Sequence, residues 1–332
     1  MKKQFLLFTI ILLLSAVFQL SAVNLKMASI LPEGSEWDNA LKEMASEWKK
    51  ISEGRVNVKI YPGGIAGGES DVIRKMRIGQ IDMAVLTQVG IAAILPDTFA
   101  MSMPFMVETE EELDFIVEEV TPLFDQDFLD KGFVMLTWSK SGWVNFFSKD
   151  RMIEPADVME MKFAGSVTQP ELADTFRRMG MNIISIDTPD MLMALQSGMV
   201  EAFYAPTMAA ASYQWFGIAD EMLDLKVAPV LGGIVISERA WRKIPSKYKE
   251  ELISAADNLS AHFYDEAVVI EREALRVMKD NGLNINRPSA ETWGNWRAMM
   301  GTDFSLLVGD NALVSTESFN KVYSMLEEFR SR

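Results

Sequence analysis

The sequence lacks cysteine altogether and has a single histidine among its 332 residues. The absence of cysteine excludes disulfides, thiolate metal sites and a lipid anchor on an N-terminal cysteine. A Ser-His-Asp triad or a histidine-ligated metal would need His262, which falls inside a predicted helix, where a packing or solvent-facing role is the simpler interpretation. No GxSxG, HExxH or EF-hand-like pattern occurs, so we predict no catalytic site, no metal and no cofactor.

Positive charge is also scarce. The chain has 32 Lys and Arg against 47 Asp and Glu, a formal net charge of −15 at pH 7. Binding to nucleic acid or to an anionic lipid surface depends on clustered Lys and Arg. We therefore predict no nucleic-acid partner and no attachment to a lipid surface.

Long apolar runs are confined to the start of the chain. Lys2 and Lys3 precede an apolar run over residues 5–14 and small residues over 15–22. This order is typical of an export signal, and we predict that residues 1–22 are cleaved to leave a soluble periplasmic protein. The alternative is an uncleaved anchor helix, but the run is short for a bilayer span of about 20 residues.

Strand and helix signals alternate in two series along the rest of the chain. The first series has strands at 24–28, 55–61 and 81–86 with helices at 35–51 and 69–78. The second has helices at 170–179 and 189–197 with strands at 182–186 and 200–204. Such an order predicts an α/β protein with parallel strands and helices on both faces of each sheet.

The segments between and after these series define the predicted lobes. A capping box starts a helix predicted over 109–129, and strands at 133–138 and 143–147 form a pair that crosses between lobes. Residues 246–280 lack Pro and Gly, so they predict a helix about 50 Å long that spans both lobes. A last helix is predicted at 316–329. We assign 23–147 with 230–272 to lobe I, and 148–229 with 273–332 to lobe II.

A glycine-rich segment, residues 63–69, follows a predicted strand and opens a predicted helix, as a phosphate-binding loop does. A phosphate-binding loop needs lysine where Glu69 stands, and a carboxylate there would repel phosphate. We therefore interpret this segment as a structural turn.

Six features in order resemble the periplasmic substrate-binding proteins of TRAP (tripartite ATP-independent periplasmic) transporters. They are GRVNVKIYPGGIAGGE at 54–69, IGQIDMAVLT at 78–87, Met103-Pro104-Phe105, IEPADVMEMKFAG at 153–165, ALQSGMVEAFYAP at 194–206, and the very long helix. The resemblance implies a two-lobed periplasmic-binding-protein fold. It also implies a non-enzymatic protein, monomeric by default, that closes on a small molecule and delivers it to membrane subunits driven by an ion gradient.

Two departures from the family pattern concern the ligand. Family members usually bind organic acids through an arginine in a Lys-Ile-Arg-Val strand, and here Ala164 stands at that position. A second patch, usually Asp-Gly-Gln-Glu-Asn-Pro, reads EAFYAP at 201–206. A carboxylate buried without a partner costs several kcal/mol. We therefore expect a largely hydrophobic ligand, unless Arg177 or Arg178, which we expect to face solvent, supplies a cation.

The predicted ligand-binding residues combine family positions with aromatic residues near predicted strand ends, where ligands bind in open α/β sheets. For the aromatic residues, an ordinary place in the core is the alternative. Phe163 and Phe203 are the strongest candidates. The full set is Trp37, Thr87, Gln88, Trp138, Trp143, Phe163, Ala164, Thr168, Gln169, Phe203, Tyr204, Tyr213 and Trp215.

A different class of function fits the same features. The chain could be a ligand sensor or a scaffold that docks a helical-repeat periplasmic partner without a direct role in transport. Neighbouring genes for two membrane subunits would favour transport, whereas a lone sensor kinase gene would favour sensing. An enzyme ranks third, because no nucleophile motif is present.

Overall fold

A mixed β-sheet runs through the protein in the computed structural model, which describes residues 22–166, 170–300 and 304–332. The predicted signal segment therefore lies outside the described residues, apart from Ala22. The strands in the described part are β1 (Val23–Ala28), β2 (Val56–Tyr61), β3 (Met83–Thr87), β4 (Phe133–Ser148), β5 (Lys162–Ser166), β6 (Asn182–Ile186), β7 (Ala202–Pro206), β8 (Glu221–Leu223), β9 (Pro229–Ser237) and β10 (Asn284–Asn286).

Helices flank this sheet. The α-helices in the described part are α1 (Glu36–Ile51), α2 (Glu69–Ile78), α3 (Gln88–Ile94), α4 (Glu110–Phe115), α5 (Asp125–Asp130), α6 (Pro155–Glu160), α7 (Pro170–Arg178), α8 (Met191–Ser197), α9 (Thr207–Ser212), α10 (Glu238–Trp241), α11 (Ser246–Asp280), α12 (Ala290–Met300) and α13 (Thr316–Arg330). None of those within the described residues is long and apolar enough to cross a membrane.

The strand order divides the sheet into two halves joined by one strand. The order is β2-β1-β3-β9-β4-β7-β5-β6, and β8 pairs with β4 and β10. In the first half β1, β2 and β3 are parallel, as predicted, and β9 is antiparallel to β3. The first part of β4 pairs with β9, and its last five residues pair with β7. Each half is therefore a mixed sheet, and β4 carries the chain from one half to the other.

The first helix shows why the local predictions succeed. The Ser35 hydroxyl accepts a hydrogen bond from the Asp38 amide at 3.2 Å, which is the predicted N-cap. Leu41, Met44 and Trp48 lie on one face and are buried. Their spacing of three and four residues forms the apolar stripe that packs on the sheet.

The longest helix, α11, contacts both halves, as predicted. It packs on α1 of the first half and on α9 of the second, as well as on β4. The Trp48 indole donates a hydrogen bond of 2.9 Å to the Leu252 carbonyl, which fixes α1 against its first part. This single helix of 35 residues therefore runs along both halves.

Two predictions for the region between the two series of alternating strands and helices are wrong in detail. The helix predicted over 109–129 is interrupted: a π-helical and a 3-10 segment separate α4 from α5. Pro122 lies in the interruption, and it has no amide hydrogen with which to continue an α-helix. The two strands predicted at 133–138 and 143–147 form one strand, β4, because register shifts after Met135 and Lys140 absorb the irregular residues.

The C-terminal segments contact parts of both halves. The Trp296 indole on α12 donates to the Ile153 carbonyl at 2.7 Å. Arg330 on α13 forms an ion pair of 2.8 Å with Glu112, in the region assigned to lobe I. The lobe boundaries stay a prediction, and the tail touches segments that this prediction divides between the lobes.

Candidate functional site

A cavity of about 300 Å³ lies between the two halves of the sheet. Ligand-binding pockets are usually about 300–1,000 Å³, so its size suits a small molecule. The first half contributes the ends of β1 and β3 and part of α1, and the second half contributes β5 and β7. Residues of α11 close one side. The cavity therefore lies at the carboxyl ends of parallel strands, which is where the sequence predicts that a ligand binds.

Eight of the predicted ligand-binding residues line this cavity. Phe163 and Tyr204 face it from neighbouring strands, and their rings stack with centroids 5.9 Å apart. Ala164 is only 3% exposed, so it brings a buried methyl group to the cavity wall. The eight are Trp37, Thr87, Gln88, Phe163, Ala164, Tyr204, Tyr213 and Trp215.

Three predicted residues lie outside the cavity lining. Phe203 points to the other face of β7, where it stacks on Phe147 at 5.1 Å, because side chains alternate along a strand. The Trp143 indole donates to Glu110 at 2.6 Å. Trp138 packs edge-on against Phe128. These three residues therefore do not line the cavity, and Thr168 and Gln169 lie outside the described residues.

Two charged side chains that the sequence reading missed line the cavity. Glu69 and Lys140 are the acidic and basic residues among the described lining. Lys140 forms an ion pair with Asp114. Arg177, which the sequence offered as a possible cation for an acidic ligand, is exposed and forms an ion pair of 2.7 Å with Asp174. Arg178 is exposed too. The cavity therefore offers an anionic ligand no arginine among the described residues.

Glu69 is a buried carboxyl group, 6% exposed, at the start of α2. It accepts hydrogen bonds from the Thr87 amide at 2.6 Å and the Thr87 hydroxyl at 2.9 Å. A Cβ at Gly90 would lie 2.4 Å from its Oε1, so a larger residue there would displace the carboxyl group. Burial raises the pKa of Glu69 to about 7, and the negative charge of Asp187 adds to the rise, although the Thr87 hydrogen bonds oppose it. The segment before it is a turn, as predicted.

Two buried polar side chains in the lining have no hydrogen-bond partner among the described residues. They are the Gln88 carboxamide, through both its nitrogen and its oxygen, and the Ser102 hydroxyl. Gln88 is 5% exposed and Ser102 is 4% exposed. Buried polar groups nearly always have partners, so these two are candidates for contact with a bound molecule.

A family model settles what kind of protein contains this cavity. The model for bacterial extracellular solute-binding protein, family 7, matches residues 27–305, which is most of the chain. The chain belongs to this family. This agrees with the prediction of a solute-binding protein.

Relatives and solved structures agree with this family 7 assignment. The sialic acid-binding periplasmic protein of Vibrio cholerae is 19% identical over 304 residues, 90% of this chain and 94% of its own. A sugar acid binding protein of Advenella mimigardefordensis, solved with galactonate, has a TM-score of 0.85 at 17% identity and covers 93% of this chain and 99% of its own. A TRAP solute-binding protein of Desulfovibrio salexigens, solved with orotic acid, gives a TM-score of 0.84 at 16% identity over 93% and 99%. These likenesses confirm the predicted two-lobed fold.

The two halves of this family 7 protein are joined across the cavity by Tyr213. Its hydroxyl donates a hydrogen bond of 2.6 Å to the Ile30 carbonyl, which follows β1 in the first half. Its ring stacks on Trp215 with centroids 4.7 Å apart. Tyr213 therefore holds the halves together through one bond that a phenylalanine would lack.

The replacement Tyr213→Phe is expected to shift the protein toward an open form. It keeps the ring stacking and removes one hydrogen bond, which is worth about 1 kcal/mol, so the ratio of closed to open protein should fall about fivefold. Small-angle scattering of the ligand-free protein would show this as a larger radius of gyration. The exposed Tyr323, changed to Phe, is the matched control. Identical scattering from both variants would show that Tyr213 does not hold the halves together.

Proposed function

We propose that this protein is the solute-binding component of a TRAP transporter and that its ligand is largely hydrophobic. It captures the ligand between the two halves and delivers it to membrane subunits that use an ion gradient. The observation that carries the proposal is the cavity wall. Apart from Glu69 and Lys140, the described lining residues are apolar or uncharged.

The apolar wall favours burial of hydrocarbon over binding of an acid. Covering roughly 300 Å² of apolar surface contributes about 7 kcal/mol before the cost of association. A carboxylate placed at Ala164 would meet a methyl group instead of an arginine, and Lys140 already pairs with Asp114. A buried carboxylate without a cationic partner is costly, so the wall disfavours the sugar acids bound by several solved relatives.

Several finer points stay predictions alongside this proposal. They are cleavage of residues 1–22 with release into the periplasm, the lobe boundaries, and a helical-repeat partner. The likeness to solved TRAP solute-binding proteins supports a periplasmic location and a pair of membrane subunits, but each of these points needs its own experiment.

Mass spectrometry of the molecules that co-purify with the protein tests the proposed ligand class. We expect one apolar species at near one molecule per protein, recovered by solvent extraction of native protein. Calorimetric titration with galactonate, glucuronate and sialic acid is the complementary measurement, and we expect no heat of binding. Micromolar affinity for any of these acids would overturn the hydrophobic ligand while leaving the family assignment intact.

A further inference from the structure

The unpaired polar groups of the cavity lie on one side of it. Gln88 is the first residue of α3, and Ser102 ends the 3-10 segment Pro96–Ser102, which packs on α3. Both belong to the first half of the sheet. A buried amide or hydroxyl that lacks its hydrogen bond is destabilising, so a ligand that bonds to both groups would recover that cost.

The opposite wall is mainly apolar, although Tyr204 and Thr188 also line it. Phe163, Phe176 and Met181 line the cavity from the second half, together with Ile186 and Met191. A molecule that spans the cavity therefore meets hydrogen-bonding groups at one end and hydrocarbon at the other.

Of the two charged side chains in the described lining, Lys140 already pairs with Asp114 and Glu69 lies near the polar side, so an ionised end group is disfavoured. Glu69 lines the same half, and both of its oxygens accept hydrogen bonds from Thr87. Its carboxylate would repel an anion, and those bonds leave it poorly placed to receive a cation. The Gln88 carboxamide, in contrast, offers a donor and an acceptor, and the Ser102 hydroxyl offers the same pair.

We propose that the cavity takes an amphiphile whose uncharged end, a hydroxyl or a carboxamide, bonds to Gln88 and Ser102 while its apolar body packs on the second half. This inference rests on the proposed hydrophobic ligand and adds the chemistry and orientation of its polar end. It implies that the ligand meets the first half through hydrogen bonds and that the second half closes over the hydrocarbon.

A series of probes with the same chain and different ends tests the proposal. Decanamide, decan-1-ol and decanoate would be titrated near pH 8, where decanoate is ionised, into protein refolded from denaturant to remove bound material. The fluorescence of Trp37 and Trp215, which line the cavity, reports binding. We expect decanamide and decanol to bind at least about tenfold more tightly than decanoate.

Variants of the two polar residues test their contact with the probe. Gln88→Leu keeps the side-chain size and should weaken decanamide binding about fivefold, the effect of one uncharged hydrogen bond, without changing decanoate binding. Ser102→Ala, a smaller change, should act in the same direction even if Gln88→Leu folds poorly. Gln80→Leu is the matched control, because Gln80 is exposed and lies outside the cavity lining.

The outcomes separate this inference from the proposed function. Decanoate that binds as tightly as decanamide would overturn the uncharged end while leaving a hydrophobic ligand in place. Decanamide affinity that both variants leave unchanged would show that water satisfies Gln88 and Ser102, and would also overturn it. No binding by any of the three probes would count against the hydrophobic ligand itself.

Discussion

Replacing Ala164 by arginine is expected to lower the free energy of unfolding by about 3 kcal/mol or more and to remove the co-purifying ligand. Ala164 is buried on β5 and lines the cavity, so the guanidinium would enter a space walled mainly by apolar side chains. Burying a charge without a partner costs several kcal/mol. The carboxylate in the described lining, Glu69, already accepts two hydrogen bonds from Thr87. Urea unfolding and mass spectrometry of the extracted ligand measure the two effects.

The same substitution at an exposed position controls for arginine itself. Ala298 on α12 is exposed, and Ala298→Arg should change the free energy of unfolding by less than about 0.5 kcal/mol. If the Ala164 variant is as stable as this control and keeps its ligand, the binding cavity lies elsewhere. Binding of a sugar acid by the Ala164 variant would show that the wall can be converted to bind the ligand class of several solved relatives.

The second large effect is a dependence of stability on pH that comes from Glu69. Its pKa is about 7 in the folded protein and near the ordinary value of 4.5 when unfolded. The folded protein therefore binds a proton more readily, so this contribution to stability is complete below about pH 4.5 and is lost as the pH rises through 7. The difference of about 2.5 pKa units corresponds to roughly 3 kcal/mol.

Comparison of the protein with its Glu69→Gln variant isolates most of this contribution, because acids that do not interact with Glu69 titrate equally in both. Urea unfolding near pH 5 and near pH 8 should show that the variant gains roughly 2–3 kcal/mol relative to the parent over this interval. Glu250→Gln, at an exposed position on α11, should give the same difference at both pH values. Parallel pH profiles for the parent and the Glu69 variant would mean that this carboxyl group titrates normally.

Local signals predict much of this fold because caps and periodic apolar residues act within a few neighbours. Ser35 caps α1, and the bounds of α2 and β6 agree with the sequence reading to the residue. Strand β9 was missed, since eight of its nine residues are buried and no polar alternation marks a strand. Its pairing with both β3 and β4 is a long-range property that local patterns do not contain.

The cavity was harder to predict residue by residue. Alternation along β7 shows that Phe203 and Tyr204 face opposite ways, but it does not show which face meets the cavity. Glu69 was interpreted only as the end of a turn, because its contact with Thr87 joins segments 18 residues apart. Acidic side chains favour helix starts, so the sequence could have suggested that the Glu69 carboxylate contacts the start of another helix. Nothing in the sequence indicates that this helix is α3.

The path of the chain through the sheet has a consequence for protein engineering. Strand β9 returns to the first half before β10 completes the second, β4 belongs to both, and α11 braces both. Neither half is therefore a contiguous segment, and cutting the chain at any single peptide bond would deprive each fragment of strands it needs. An isolated first half would have to be made by joining 22–147 to 229–280 through a new linker, and it would lack the β5 and β7 wall of the cavity.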